Sequence, residues 1–378
     1  MINVTPRRVA LLAIYVGLLL LELFLSVRYS TSGLWLSFFP SPDGPWCERG
    51  ENYPLAFNKE PFNSRSDFLF LAVGLIVIEI GLTDRDYLAR EAKRDTEERK
   101  QSDKKNEDGS ATPTNPAMRR NLKKDGQAII DGYPPQEKQA YTPPVTFPRR
   151  LLPKSNLVLS FPSISVSFGA LQAAHAFGTY LNHASRTFLG WQLDVIGMYC
   201  VISWTLTYFC LQEASEHLAL RMSAKSAARS TSLIPSYLAS VEKLVCLFNA
   251  SQFLVLMPMW YLTTIVDLGL GLDELLVSTI IVIILIALSL VGLRRRYVVR
   301  VDHSVPFHEH YVILAAVLFL VAFICWNIDL HLCPYVPYYF QGHALWHILS
   351  SGSLLCLYFF VRTSGCYSLR ETFAALRE

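Results

Sequence analysis

Residues 311–329 read YVILAAVLFLVAFICWNID, an apolar run that carries no charged side chain before Asp329. A helix of ~20 such residues is long enough to cross the hydrocarbon core of a bilayer. Similar runs lie near residues 9–27, 68–83, 161–182, 191–212, 241–266, 274–293 and 343–361. The sequence therefore predicts an all-α, polytopic membrane protein with eight transmembrane helices, the first of them an N-terminal helix that precedes the other seven.

The composition of the 378 residues agrees with this class, because 52% are hydrophobic and only 17% are charged. A soluble domain usually carries about a quarter charged residues. The net charge of +3 is too small to indicate a nucleic-acid partner. Collagen-like, coiled-coil and disulfide-rich classes are excluded as well. The sequence gives no oligomeric state.

The first apolar run follows Arg7 and Arg8, so it has the basic start and apolar centre of a signal peptide. Its length, and the lack of a small-residue cleavage site after it, favour a retained signal anchor over a cleaved signal peptide. Lys and Arg are concentrated in alternate loops, among them 84–154 and 294–300. The positive-inside rule then places segments 28–66, 183–190, 267–273 and 330–342 on the outer side. That side is lumenal or extracellular, and the endoplasmic reticulum or Golgi is favoured over the plasma membrane.

Five segments are expected along the chain. The signal anchor covers 1–30, and an outer entry segment with the first bundle helix covers 31–83. An insertion at 84–155 is followed by the remaining six bundle helices at 156–362 and a cytosolic tail at 363–378. The insertion combines high mixed charge with few apolar residues. Burial in such a segment does not offset the entropy lost on ordering it. It is predicted to be a disordered cytosolic loop, with a partner-binding role as the alternative.

Four ionisable residues, His183, Asp194, His343 and His347, fall at the predicted outer ends of spans. An ionisable group at bilayer depth is energetically unfavourable, so each of these residues is expected to have a binding partner or a functional role. His343 and His347 share one helix face, and His183 can complete a three-histidine set. Three protein ligands with one open position are typical of catalytic zinc, which activates a bound water near neutral pH. Asp194 is predicted to be the general acid/base that moves the proton of that water.

These histidines also have a simpler interpretation. A single histidine at a membrane interface is usually an amphipathic side chain, and an H-x-x-x-H spacing often arises by chance. His175, two turns before His183, is predicted to be packed or hydrogen-bonded rather than a ligand. His331 is at most an outer partner of the site.

Three blocks of sequence carry a family resemblance. Trp46-Cys47-Glu48 is followed by EPFNSRSD at 60–67; the second block is GTYLNHASRTFLGWQLDVIGMY at 178–199; and WNIDLHLC at 326–333 is followed by HALWH at 343–347. In order and spacing these blocks resemble the alkaline ceramidases, within the CREST superfamily of membrane hydrolases. The resemblance implies a seven-helix bundle and hydrolysis of the amide bond of ceramide to a sphingoid base and a fatty acid.

The resemblance also implies individual roles. Zinc is held by His183, His343 and His347, and Asp194 is the general acid/base. Thr179 stands where the family has a serine, so it keeps a hydroxyl that can stabilise an oxyanion. Without the family resemblance, Thr179 would be an ordinary residue of the span whose hydroxyl hydrogen-bonds to a backbone carbonyl of its own helix.

A calcium site is implied in the entry segment, with oxygen ligands from Trp46 (main-chain carbonyl), Glu48, Asn52 and Glu60. Pro45 stands where the family has an aspartate, and two extra residues after Glu48 make Glu51 an alternative to Asn52. A polar loop fixed by hydrogen bonds is the alternative to calcium. The resemblance further implies a disulfide between Cys47 and Cys333, as expected in an oxidising compartment.

The predicted function is therefore zinc-dependent hydrolysis of ceramide. One alternative keeps the zinc chemistry but changes the substrate to an ester-linked phospholipid or a lipid anchor. The other is a non-enzymatic receptor of the progestin and adipoQ receptor type.

Overall fold

The computed structural model describes residues 5–30, 34, 47–48, 56–109, 156–229, 239–251, 309–333, 335 and 340–363. These residues are arranged almost wholly in α-helices. They are α1 (Pro6–Arg28), α2 (Pro61–Ser66), α3 (Phe68–Gly109), α4 (Leu157–Ser160), α5 (Pro162–Ser185), α6 (Phe188–Arg229), α7 (239–251), α8 (Glu309–Leu332) and α9 (Gly342–Thr363).

Five helical stretches within the described residues are long and apolar enough to cross a membrane: Pro6–Arg28, Pro61–Lys104, Phe188–Gln212, His310–Leu332 and Gly342–Thr363. They coincide with five of the predicted runs, so the prediction of an all-α polytopic membrane protein is confirmed. The run at 161–182 forms α5, whose buried face carries polar side chains such as Gln172 and His175. The run at 241–266 is helical as far as residue 251, and the run at 274–293 lies outside the described residues.

Helix α3 extends beyond the predicted first bundle helix, because it continues to Gly109. The sequence predicts a disordered loop from residue 84. The extension is rich in Glu, Lys and Arg, which favour helix. The i,i+4 ion pairs Lys93–Glu97 and Arg94–Glu98 add to this preference. The rest of the predicted insertion, 110–155, lies outside the described residues.

The chain divides into two compact units, one formed by residues 1–84 and 153–378 and the other by residues 85–152. The smaller unit contains the charged extension of α3. The larger unit contains the three histidines of the predicted zinc site.

Helices α5 and α6 form a tight hairpin at Arg186, which ends α5 in the left-handed conformation (φ 52°). Small residues permit the close approach of the two helices. A Cβ atom on Gly178 would lie 2.6 Å from the carbonyl oxygen of Leu193. The hairpin therefore brings the end of α5, with His183, alongside the start of α6, with Asp194.

The apolar core lies toward the other end of these helices. Its centre is an aromatic cluster in which Phe168 contacts Trp204 and Tyr358, with ring centroids 4.5 and 5.7 Å apart. Phe168 and Tyr358 are each about four helical turns from His183 and His343 on the same helices. The packed core thus fixes α5, α6 and α9, while their opposite ends carry the polar residues.

Candidate metal centre

The three predicted zinc ligands come together in the structure. His183, His343 and His347 are buried, and one ring nitrogen of each lies within 4.8 Å of the others. The Nε2 atoms of His183 and His343 are 3.1 Å apart. The cluster therefore offers three imidazole nitrogens to a common point.

Two helix ends position these histidines. His183 is in the last turn of α5, while His343 and His347 lie one turn apart at the start of α9. The start of α9 is fixed by Asp329 of α8, whose Oδ1 accepts a hydrogen bond of 3.0 Å from the backbone N–H of Gly342. Because the carboxylate accepts from the first N–H of α9, the register of both histidines follows from this contact.

The other ring nitrogens of two histidines face carboxylates. Nδ1 of His183 is 2.7 Å from Oε2 of Glu60. Nδ1 of His347 is 2.7 Å from Oδ1 of Asp67, and Ser66 Oγ lies 2.9 Å from the same nitrogen. Glu60 and Asp67 flank the short helix α2, so this helix faces both imidazoles.

This arrangement matches the chemistry of a metal centre. A metal-bound histidine normally donates its second N–H to a carboxylate or carbonyl, which fixes the ring and the tautomer. With the Nδ1–H of His183 and His347 donated to Glu60 and Asp67, the Nε2 lone pair of each ring remains available to a metal ion. The residues therefore fit a metal ion, and three neutral imidazoles suit zinc among other transition metals.

Asp194 lies at the start of α6, where the backbone packs against Gly178 of α5. Its Oδ2 accepts a hydrogen bond of 3.0 Å from Asn182 Nδ2, and its Oδ1 is 3.9 Å from Nδ1 of His175. Asn182 directly precedes His183, so the carboxylate is held by the same turn of α5 that carries a candidate ligand.

Thr179 is buried one turn before His183, and its hydroxyl donates to Oδ1 of Asp67 at 3.4 Å. The predicted catalytic threonine thus contacts the carboxylate that faces His347. His175 is buried against Phe70, with ring centroids 4.8 Å apart, and against Gly197. This packed position agrees with the interpretation that His175 is not a ligand.

Two of the four predicted calcium ligands are among the described residues. Both carboxylate oxygens of Glu48 accept hydrogen bonds from the backbone of α2, at Phe62 and Asn63. Glu60 contacts His183 through Oε2 and Arg186 through Oε1, the latter at 3.2 Å. Each carboxylate therefore has protein partners, and the positive charge of Arg186 already lies beside Glu60. Trp46 and Asn52 lie outside the described residues, so calcium stays a prediction.

Burial affects the protonation of both carboxyl groups. It raises the pKa of Glu48 to about 7, although the two N–H donors of α2 act in the opposite direction. It also raises the pKa of Glu60 to about 7, against the opposing charge of Arg186. Both groups are therefore poised to change charge near neutral pH when they are without a metal.

Cys47 and Cys333 are paired at disulfide distance, with Cα atoms 5.1 Å apart. Asp329 strengthens this connection, because its Oδ2 accepts a hydrogen bond of 3.2 Å from the N–H of Cys47. The entry segment is therefore attached to α8 beside the start of α9.

Sequence reasoning missed Asp67 and Asp329, and it assigned Glu60 to calcium rather than to His183. Asp67 ends the quoted block EPFNSRSD and Asp329 lies in WNIDLHLC. Both are acidic residues at the edge of an apolar run. That position was the available signal, because a buried acid at a span end requires a partner.

An apolar cavity of about 270 Å³ lies between α5, α6 and α7. Its lining includes Phe177 and Gly178 of α5 and Leu193 and Ile196 of α6. Gly178 and Leu193 directly adjoin Thr179 and Asp194 in sequence. The cavity therefore approaches the two predicted catalytic residues.

No known protein family, characterised protein or solved structure matches this chain significantly. The class supported by fold and site together is an integral membrane protein with a buried three-histidine cluster. Any more specific function has to be inferred from the chemistry of that cluster.

Proposed function

We propose that this protein is a zinc-dependent membrane hydrolase that cleaves the amide bond of ceramide, giving a sphingoid base and a fatty acid. The observation that carries the proposal is the convergence of His183, His343 and His347, two of which face buried carboxylates through Nδ1. The resemblance of the three sequence blocks to alkaline ceramidases supports the substrate.

Zinc held by the three histidines would polarise the substrate carbonyl and lower the pKa of a bound water. Glu60 and Asp67 keep the imidazoles oriented, because each carboxylate accepts from an Nδ1–H. Three histidines leave one coordination position open, which favours a catalytic over a structural site.

Asp194 is proposed to take a proton from the attacking water and to deliver it to the leaving amine nitrogen. Water then adds its oxygen to the acyl carbon, the C–N bond breaks, and the products are the carboxylic acid and the sphingoid amine. The hydroxyl of Thr179 donates a hydrogen bond to the oxyanion in place of its long contact to Asp67.

A lipid substrate is supported by the position of the site at the ends of apolar helices. The apolar cavity beside Gly178 and Leu193 offers a place for part of a hydrocarbon chain. The proposed site is lumenal or extracellular, in the endoplasmic reticulum or Golgi, since the charge distribution of the loops favours that orientation. Calcium bound through Glu48 and Glu60 would belong to the support of α2 rather than to the reaction.

The test is the metal content and activity of the purified full chain. We expect about one zinc per chain in the wild type and a loss of zinc in His343→Ala. Incubated with ceramide, the wild type should release a free sphingoid base, and a chelator should abolish the release. Equal zinc in both proteins would refute the metal centre.

The same assay with a phospholipid separates the alternatives. Release of lysophospholipid without sphingoid base would indicate an ester-cleaving enzyme. If zinc is bound and neither substrate is cleaved, the hydrolase proposal fails and a receptor of the same superfamily becomes the better interpretation.

A further inference from the structure

Helix α1 carries one acidic residue in the middle of its apolar sequence, and that residue is buried. Glu22 is 4% exposed, whereas neighbours on the same helix such as Leu20 and Phe24 are 61% exposed. A carboxylate at this depth is unfavourable unless it is hydrogen-bonded or ion-paired. The hydrogen-bond and ion-pair partners of Glu22 therefore show which part of the protein α1 contacts.

Those partners lie on and before α2. Oε1 of Glu22 accepts a hydrogen bond of 2.8 Å from Asn58 Nδ2, and Oε2 of Glu22 lies 3.3 Å from Arg65 Nε. Ser26 of α1 also donates to Oε1, at 2.7 Å. The segment 58–65 is thus joined to α1 through a single buried carboxylate.

A second contact holds the opposite end of α1. Nε of Arg8 lies 3.0 Å from Oε1 of Glu79 on α3. Arg8 and Glu22 are about four turns apart on α1, and Arg65 and Glu79 are about four turns apart on α2 and α3. The two ion pairs therefore define an antiparallel pairing along the length of α1.

Little apolar packing supports this register, and its ring contact between α1 and α3 is Tyr15 against Phe68, with centroids 6.4 Å apart. Only 6% of the apolar window of α1 is buried in the protein, and Glu22 is its buried residue. Lipid tails solvate the apolar surface as well as a protein neighbour does, so helices in a bilayer associate through polar contacts and close packing. Arg8–Glu79 and the Glu22 cluster are contacts of that kind.

The segment bound by Glu22 is also the one that faces the histidines. Glu60 contacts His183, while Asn63 O and Ser66 Oγ lie 3.3 and 2.9 Å from Nδ1 of His347. Asn58 and Ser64 are hydrogen-bonded to each other within this segment. Helix α2 is therefore placed between α1 on one side and the candidate metal centre on the other.

We propose that α1 is a permanent helix of the bundle and that Glu22, through Asn58 and Arg65, positions α2 against the metal-binding histidines. Glu22 is a positioning residue, since it touches neither the histidines nor the cavity. The proposal rests on the metal centre of the proposed function. It goes beyond a membrane anchor, because it gives α1 a part in metal binding.

The test compares Glu22→Gln with Glu79→Gln in the full chain. Glu22→Gln removes the ion pair of α1 with Arg65, and Glu79→Gln removes those with Arg7 and Arg8, but only the first substitution reaches α2. We expect Glu22→Gln to weaken zinc binding roughly tenfold, the scale of outer-partner substitutions at metal sites. Glu79→Gln should leave the zinc dissociation constant unchanged, even where the two variants lose similar thermal stability.

Arg65→Gln and the double variant Glu22→Gln/Arg65→Gln complete a double-mutant cycle. If the pair acts as a unit, the double variant loses no more zinc affinity than either single variant. Arg65→Gln also replaces Glu22→Gln as the test variant if the latter does not purify as a folded protein. The visible spectrum of the cobalt-substituted centre should change in Glu22→Gln and Arg65→Gln but not in Glu79→Gln.

Intact-mass measurement of the purified wild type should find residues 6–28 still attached. A chain that begins after α1 would overturn the proposal, as would unchanged zinc affinity in both Glu22→Gln and Arg65→Gln. Equal loss of affinity in Glu79→Gln would do the same, because it would indicate general destabilisation. A wild type without zinc would instead refute the proposed function.

Discussion

Asp67 contacts two residues of the candidate site, His347 and Thr179, although sequence reasoning left it without a role. It is fully buried, faces Nδ1 of His347 at 2.7 Å and accepts from Thr179. Its position at the end of EPFNSRSD predicts a helix boundary, not a histidine partner. The partner could not be found from sequence because His347 is 280 positions further along the chain, on another helix.

Replacing Asp67 by Asn tests this role. The amide keeps the shape of the side chain but accepts less strongly from an imidazole N–H, so the ring of His347 should be held less firmly. We expect zinc affinity to fall about 10–100-fold, measured by competition with a chromogenic chelator. Glu98→Gln, on the exposed part of α3, is the control and should bind zinc as the wild type does. Full affinity in Asp67→Asn would contradict the assignment.

Asp194 provides a complementary test, because its predicted role is in proton transfer and not in metal binding. Asp194→Asn should lower turnover of ceramide by about 10²–10⁴-fold, the usual contribution of a general acid/base. Zinc content, measured on the same preparation, should stay at the wild-type level. Retained turnover would exclude Asp194 as the acid/base.

At the scale of elements, the α5–α6 hairpin decides how the site is assembled. Gly178, Gly190 and Gly197 each present a face on which a Cβ atom would come within 3.0 Å of the neighbouring helix. The sequence predicts both helices from their apolar runs. It does not reveal which glycines face the partner helix, because that depends on the rotation of each helix about its axis.

Gly178→Ala should therefore be destabilising. Its Cβ would lie 2.6 Å from the carbonyl oxygen of Leu193, a backbone atom that cannot rotate away. Overpacking of this kind costs about 1–3 kcal/mol, which should appear as a lower unfolding temperature in detergent. The matched control is Gly352→Ala on α9, where the nearest atom is Leu318 Cδ1 at 3.5 Å. Equal stability of the two variants would contradict the close approach of α5 and α6.

At the scale of the whole molecule, long-range connections attach the entry segment to the last two helices. Cys47 and Cys333 are 286 residues apart in sequence, and Asp329 joins Cys47 to Gly342 by two hydrogen bonds. Glu48, next to Cys47, accepts from the first turn of α2. The disulfide therefore supports the start of α9 through Asp329 and helix α2 through Glu48.

Cys333→Ser should lower the free energy of unfolding by about 2–4 kcal/mol, because it releases a loop closure from the unfolded chain. The loss should be matched by a reducing agent acting on the wild type, in thermal unfolding followed by tryptophan fluorescence. Cys210→Ser removes an exposed free thiol and is the control. No difference between Cys333→Ser and the control would indicate that the pair is reduced in the native protein.

The orientation of the chain is the remaining prediction at this scale. A glycosylation acceptor inserted between residues 335 and 340 should be modified in eukaryotic cells, because the distribution of basic residues predicts that this segment lies outside. An acceptor inserted within 110–150 should stay unmodified. Mobility shifts removed by a glycosidase provide the measurement, and the opposite pattern would invert the proposed sidedness.

The class of protein and the residue types of the candidate site follow from the amino-acid sequence alone. Apolar runs of membrane-spanning length and a His-x-x-x-His pair are local patterns, so hydropathy and helical spacing are sufficient to identify them. The pairing of Cys47 with Cys333 is predicted from their shared outer side and supported by the family resemblance. The sequence does not predict the helical extension of α3, because its high mixed charge indicates a disordered loop although its residues favour helix.

Only the tertiary structure decided which side chains complete the site. Glu60 contacts His183, 123 residues away in sequence, and Glu22 contacts Arg65, 43 residues away. Such contacts depend on helix rotation, register and the path of the intervening chain, none of which is encoded in a local pattern. The physical reason is that a buried carboxylate must find a donor somewhere, but the sequence alone does not say on which helix that donor lies.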